Sequence, residues 1–374
     1  MASDDCREKR SRVAKLRVLI IGAGRRVQNN FLPALHCLRD RFEIVGVHSR
    51  TTENLLRVTH QWGVKAEPQL DAIDWSGIDV VALSVPVSQN ALLMKQLLPH
   101  ASSLSLVIDT PIASTLAELT DCERLLPSFS RVLVTEDYMN FPLFRLLRDA
   151  VADDLIGQPV GVTLINIGYF FHGLALVRSF ADFAPIMRSH AEHVGRFTAN
   201  VTYHFRGGFK ACVVGPYRPD SNGGILLEGR KGVISEVAGD ARWGHLDHRP
   251  HYVVQRDLEA DQLVGYRLED GAGRLLRAVD LPALREMRTL PFEDKSDLNL
   301  CRGRGLMDVF LALFEPANLN NAYGFRNALY DSFVSRLAHS GRLPLDPLSL
   351  FGGDVMMLVR SAAKLKAARM RATP

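Results

Sequence analysis

The chain contains no stretch of about 20 consecutive apolar residues, so no membrane-crossing helix is expected, and its first residues lack the apolar run of a secretory signal. The expectation is a cytoplasmic protein with no membrane partner. Cysteine is scarce: Cys6, Cys37, Cys122, Cys212 and Cys301 are odd in number, far apart and never in C-x-x-C spacing. Neither a disulfide framework nor a zinc site is indicated. Charge of one sign is not in excess, with Lys+Arg at 45 against Asp+Glu at 41, and the net +4 is not gathered into a stripe. Nucleic acid is therefore not an expected partner. No G-x-S-x-G elbow, Walker loop or C-x-x-C occurs, which leaves hydrolase, kinase and thiol-redox readings without support.

At 374 residues and 47% hydrophobic, the chain is long enough for two packed domains. A basic leader, Cys6-Arg-Glu-Lys-Arg-Ser-Arg12, reads as a solvated start, and residues 1–14 are set apart as a disordered leader. From there to about residue 155, short apolar runs alternate with helix-like segments, the pattern of a parallel sheet with helices on both faces. Strands are expected at Leu16–Ile21, Glu43–His48, Val80–Ser84, Ser105–Ile108 and Val132–Thr135. Helices are expected at Asn29–Leu38, Thr52–Trp62, Gln89–Leu98 and Thr115–Leu126, with Pro33 kinking the first. Thr51 or Thr52 before Glu53, and Ser114 or Thr115 before Glu118, read as caps.

After Ile156-Gly157 the pattern changes, and residues 156–374 form the second expected domain. Gly161–Tyr169, Arg196–Phe205, Lys210–Val214, Gly224–Glu228 and Val233–Glu236 read as strands of a larger, mainly antiparallel sheet. Helices return at Leu306–Phe314, Gly324–Ser340 and Gly353–Met370. The fold class is thus α/β: an N-terminal doubly wound sheet followed by an α/β domain with an open sheet.

The first strand runs out on Gly22-Ala-Gly24 and passes into an amphipathic stretch, which is how a dinucleotide-binding turn reads. The first glycine permits the tight turn, and the second lets the main chain approach a pyrophosphate at a helix N-terminus. The third position is Val27, and Arg25 and Arg26 beside the turn could reinforce its positive field. The second strand ends His48-Ser49-Arg50, without the acidic residue that would hold an adenosine ribose diol. Ser49 and Arg50 could instead take a 2′-phosphate, favouring NADP over NAD; equally, Arg50 could simply begin a solvated helix. Pro86 and Pro111 each stop a strand and turn the chain over the cofactor crevice, together with Asp109.

Several of these residues resemble the Gfo/Idh/MocA oxidoreductases: Gly22-Ala-Gly24, Pro86, Pro111, Tyr138–Pro142, Ile156-Gly157-Gln-Pro159, and the hairpin Gly223–Gly232. The resemblance implies a Rossmann domain, an α/β domain with an open sheet, hydride transfer between NAD(P) and a sugar, cyclitol or other small metabolite, and a dimer or tetramer. It also exposes departures. The family's Glu-Lys-Pro becomes Asp109-Thr110-Pro111, and Thr110 can donate a hydrogen bond but cannot replace an ammonium. Of the Asp-x-Gly-x-His-x-x-Asp pattern only His172 survives, and Asn90 stands where a histidine is common.

His172 is the best candidate for proton transfer, since imidazole titrates near neutrality; the alternative is a structural histidine on an apolar stretch. Thr110 and Tyr169 join it as candidate catalytic residues, Tyr169 otherwise being core. Arg178 could hold an anionic substrate or sit on a solvated helix face, and Tyr138 and Asn140 are further cleft candidates. His245, Asp247, His248 and His251 have metal-site composition, but Pro250 rules out a shared helix face, so an exposed loop is expected and no metal. Three readings follow: an NADP- or NAD-dependent oxidoreductase acting on a sugar-like or imine-type small molecule, a lyase or epimerase with tightly held NAD, and a regulatory protein that binds dinucleotide without chemistry.

Overall fold

Short runs rich in valine, isoleucine and leucine, each closed by a polar or glycine turn, are strands buried on both faces. In the computed structural model they assemble as β1 (Leu16–Ile21), β2 (Phe42–His48), β3 (Ala66–Glu67), β4 (Val80–Leu83), β5 (Ser105–Asp109) and β6 (Arg131–Thr135). They form one parallel sheet in the order β3-β2-β1-β4-β5-β6. The structure describes residues 14–168, 170–194, 197–215, 223–236, 248–315 and 323–339. Val18 to Ile21 and Val80 to Leu83 are almost completely buried, each such side chain contributing about 1.5–3 kcal/mol. All five strands expected in this half are present; the two-residue β3 is too short for a periodicity to mark it.

Helices α1 (Leu32–Cys37), α2 (Thr52–Trp62), α3 (Asn90–Leu97) and α4 (Leu116–Leu125) connect the strands, and α5 (Pro142–Ala152) leads out. Thr115 and Glu118 close a reciprocal capping box at the start of α4; Thr51 caps α2 without a side-chain hydrogen bond. Pro33, expected inside the first helix, falls instead in the first turn of α1. Val27–Phe31 is a wide π-type turn, with the Leu32 N–H reaching back to the Val27 carbonyl. The Asn29 carbonyl, which Pro33 has no N–H to serve, accepts from Asn299 Nδ2 at 3.2 Å.

The second sheet comprises β7 (Pro159–Ile165), β8 (Ile186–Val194), β9 (Phe197–Phe205), β10 (Lys210–Val214), β11 (Gly224–Gly229), β12 (Val233–Ser235), β13 (His251–Glu259), β14 (Gln262–Asp270) and β15 (Leu275–Asp280). Among the described residues its order is β15-β14-β13-β12-β11-β7-β10-β9-β8, antiparallel except at β7–β10 and β12–β13. The segment read as a strand through Tyr169 divides instead: β7 stops at Ile165, and α6 (Phe170–Phe180) follows, so His172 stands on a helix. Gly168, at φ +65°, makes the turn between them. Strands β8 and β13 to β15 were not anticipated; their dense charges, as in Gln255-Arg-Asp-Leu-Glu259, mask the alternation. Tyr169, His245, Asp247, the leader and the expected helix at 353–370 lie outside the described residues.

Three helices complete the described residues: α7 (Pro282–Thr289), α8 (Asp297–Leu311) and α9 (Phe325–His339). The expected helix at Leu306–Phe314 is the end of α8 and its continuation. Helix α8 returns to the parallel sheet, where Phe310 meets Phe31 edge-on at 6.0 Å and Phe42 at 5.5 Å between ring centroids. Asn30 Nδ2 donates to the Asn299 Oδ1 at 2.9 Å, fully inside this junction. Helix α9 packs on α6, where Arg178 is buried: its Nη1 lies 2.7 Å from Asp331 Oδ1, and its guanidinium stacks 4.1 Å from the Tyr330 ring. Arg178 is therefore neither a solvated helix residue nor an anion holder. Burial raises the Asp331 carboxyl, while Arg178 opposes the rise.

Candidate active site

A cleft of about 580 Å³ opens along the carboxyl ends of β1, β2, β4 and β5. Its lining includes Gly22, Gly24, Arg25, Arg26, Ser49, Arg50, Pro86 and Asp109, all of the cofactor residues expected from sequence. They gather there because parallel strands present their carboxyl ends on one edge, and the order reverses between β1 and β4.

The glycine turn fits a dinucleotide. Gly22 has φ +124°, and a Cβ placed on it would stand 1.9 Å from the Ser84 carbonyl oxygen, so β1 and β4 close up only if that atom is missing. Its N–H donates to the His48 carbonyl at 2.8 Å. A Cβ on Gly24 would meet nothing within 4 Å, so its missing side chain opens space on the cleft side. The helical stretch that begins just after it directs N–H groups toward that space.

On the inner side the cleft meets a charged cluster. Asp109 accepts from Ser84 Oγ at 2.8 Å and Thr135 Oγ1 at 2.5 Å, and lies 3.3 Å from Arg26 Nε. Arg26 also pairs with Asp137 at 2.7 Å and donates to Asn30 Oδ1 at 2.9 Å. Burial favours the neutral guanidinium, but Asp137 and Asp109 outweigh it and hold the group charged. Thr110 Oγ1 donates to the Thr135 carbonyl at 3.3 Å, and Asn90 anchors the same strand exit by donating to the Ile112 carbonyl.

Next to this cluster stands His172, buried, with Nδ1 2.8 Å from both carboxylate oxygens of Glu136. Glu136 has no exposure, and burial raises its carboxyl above the ordinary range, with His172 acting in the opposite sense. Tyr138 stacks on the His172 ring at 4.8 Å and 27°. Ligand-type atoms of Glu136, Asp137 and His172 lie within 4.8 Å of one another. Composition alone would suit a metal there, but Glu136 is engaged by His172 and Asp137 by Arg26.

Helix α8 holds this end from outside. Arg302 Nη2 donates to Tyr138 Oη at 2.7 Å, and Gly305 lets the helix approach so closely that a Cβ would stand 2.7 Å from the Asp137 carbonyl oxygen. Arg302 and Gly305 carry no local motif, and Glu136 and Asp137 follow the sixth strand with nothing in the sequence to mark their partners. His172 and Thr110 are brought near the cleft without belonging to its lining, and Asn140 contributes a long 3.5 Å contact to the Glu136 carbonyl.

The family model described as "Oxidoreductase family, NAD-binding Rossmann fold" matches residues 16–136. No curated protein matches the chain. Among solved structures, an oxidoreductase from Thermotoga maritima superposes with a TM-score of 0.60 at 17% identity, covering 88% of this chain and 97% of that one. A myo-inositol dehydrogenase from Corynebacterium glutamicum gives 0.60 at 15% identity, covering 88% and 96%. An Agrobacterium radiobacter oxidoreductase in complex with NAD+, L-tartaric acid and magnesium gives 0.59 at 13%, again covering 88% and 96%. Residues 16–136 thus match the Gfo/Idh/MocA oxidoreductases, with their NAD-binding Rossmann fold, and the described chain as a whole shares the fold of these solved structures.

Proposed function

We propose that the protein is an oxidoreductase that moves hydride between NADP and a small polar metabolite, sugar-like or imine-type, with His172 exchanging the proton. The observation that carries this reading is the Gly22 turn, whose φ of +124° and contact with the Ser84 carbonyl leave no room for a side chain at the mouth of the cleft. Bound dinucleotide would supply or accept the hydride. Gly22 and Gly24 would hold the pyrophosphate by main-chain contact, while Ser49 and Arg50, at the β2 end of the same cleft, would take the adenosine 2′-phosphate.

Glu136 fixes the His172 ring through Nδ1 at 2.8 Å, so proton exchange with substrate falls to Nε2. Thr110 contributes a hydroxyl, not a charge, at the strand exit. That favours substrates needing little electrophilic help, such as an iminium, within the range that also includes polyols. Among the solved neighbours, names specify an inositol, a hydroxy acid and a UDP-linked amino sugar, which supports a polar, hydroxyl-bearing substrate. A cytoplasmic homo-oligomer is part of the same proposal.

The test is titration of the purified protein with NADPH and NADH, followed by nicotinamide fluorescence. Tighter binding of NADPH is expected, and binding of neither would overturn the reading. With a substrate found by absorbance screening of sugars, cyclitols and cyclic imines, His172→Ala should lose about 10²- to 10⁴-fold in turnover while keeping its affinity for NADPH. Equal turnover would remove the proton role.

A further inference from the structure

Arg26 stands two residues after Gly24 of the glycine turn, where an arginine would ordinarily be read as a phosphate ligand. Its side chain does something else. It crosses from the end of β1 to Asp109 at the end of β5 and Asp137 just beyond β6, at 3.3 and 2.7 Å. In a doubly wound sheet the glycine turn after β1 takes the pyrophosphate and the end of β2 the adenosine ribose. The β4, β5 and β6 ends are then left for the nicotinamide half. The guanidinium thus lies on the hydride-transfer side, with two carboxylates and Asn30 occupying its donors.

The charges around it are balanced. Arg302 is close enough to Asp137 and Arg26 to feel both, so two fixed cations face two carboxylates, while Glu136 is matched with His172. Thr110 adds no charge where the family's exit lysine would.

Resting on the dinucleotide reading above, we propose that Arg26 is not a phosphate ligand but the fixed cation of the nicotinamide end, whose charge sets the relative affinity for oxidised and reduced dinucleotide. The oxidised ring carries a positive charge and the reduced ring does not. Removing Arg26 leaves Asp109 and Asp137 with one cation between them and favours the oxidised form. Neutralising Asp137 does the reverse. A phosphate ligand would instead support every adenine dinucleotide alike, whatever the state of the ring.

Three probes separate these roles in calorimetric titrations of the full chain: NADP+, NADPH, and 2′-phospho-ADP-ribose, which has the phosphates but no nicotinamide. In Arg26→Met, affinity for 2′-phospho-ADP-ribose should stay near that of the unaltered protein, while the ratio of NADP+ to NADPH dissociation constants falls about tenfold. In Asp137→Asn the ratio should rise, and Arg26→Lys should return it toward the original value. Because the two neutralising variants shift it in opposite senses, general damage to the site cannot imitate the pattern. The proposal is overturned if all three probes weaken together in Arg26→Met, or if the ratio is unmoved or shifts the same way in both variants. If the unaltered protein binds none of these, NAD+, NADH and ADP-ribose take their place; if none of the six binds, the dinucleotide reading falls and this inference with it, and if either set binds without the opposed shifts, only this inference falls.

Discussion

Replacing Gly22 by alanine separates the structural from the binding role of the glycine turn. The added Cβ would stand 1.9 Å from the Ser84 carbonyl oxygen and 2.9 Å from its carbon, both backbone atoms, so no rotamer change relieves the contact. The φ of +124° adds strain, a term of about 1–3 kcal/mol. Forcing β1 and β4 apart adds overpacking of about 1–3 kcal/mol. Together about 2–6 kcal/mol are lost, against the roughly 5–15 kcal/mol that holds most domains folded. Gly24→Ala is the control: its Cβ meets nothing within 4 Å, and stability should change by less than about 0.5 kcal/mol, as at an open surface position. The same methyl would occupy space that a pyrophosphate needs, so NADPH affinity should drop at least tenfold. Urea denaturation followed by far-ultraviolet circular dichroism, alongside NADPH titration, reads both quantities. A Gly22→Ala protein as stable as the original, or a Gly24→Ala protein with undiminished NADPH affinity, would refute the account of the turn.

Arg50→Ala should weaken NADPH roughly 10- to 100-fold, the loss of a charge-assisted contact, and leave NADH within about threefold; equal loss for both would remove the 2′-phosphate assignment. Asp331→Ala strands the buried Arg178 and should cost about 3–5 kcal/mol, seen as an earlier urea midpoint; a cost below about 1 kcal/mol would place the pair with surface ion pairs. Glu136 binds its proton more tightly folded than unfolded. Its contribution to stability is complete below the unfolded value near 4.3 and declines as pH rises through the folded one. Glu136→Gln should therefore match the original protein in acid and gain on it as pH rises toward neutrality; a stability difference that does not vary with pH would contradict the burial of that carboxyl.

The parallel half was legible because its strands are buried on both faces, so each reads as an apolar run stopped by glycine or proline. The cofactor candidates follow from the same geometry, since strand ends are marked in the sequence and topology brings them to one edge. The second sheet was legible only in its apolar strands; β13, with Arg256, Asp257 and Glu259 among its residues, spreads charge across the alternation. His172 could be singled out by residue type, but not Glu136 as its partner, because a contact across 36 positions leaves no local trace. Arg26 was visible and its role was not: proximity to a glycine turn suggests a phosphate, whereas the direction of a long side chain is set by the carboxylates available to it. Arg178 misled for the same reason, its partner Asp331 lying 153 residues away.

Helix α8 gives the chain a property that reading it from end to end conceals. Phe310 fits against Phe31 and Phe42, Asn299 takes up the carbonyl left by Pro33, and Gly305 rests on the main chain of Asp137. The nucleotide-binding half is thus finished by residues synthesised about 165 to 175 positions after its last strand, and it is not a transferable cassette. A fragment ending near Gly157 would leave the ribosome with an open seam of aromatic and amide surface, should bind chaperone or aggregate, and should regain a native-like melt only when the missing portion is supplied, covalently or as a separate piece.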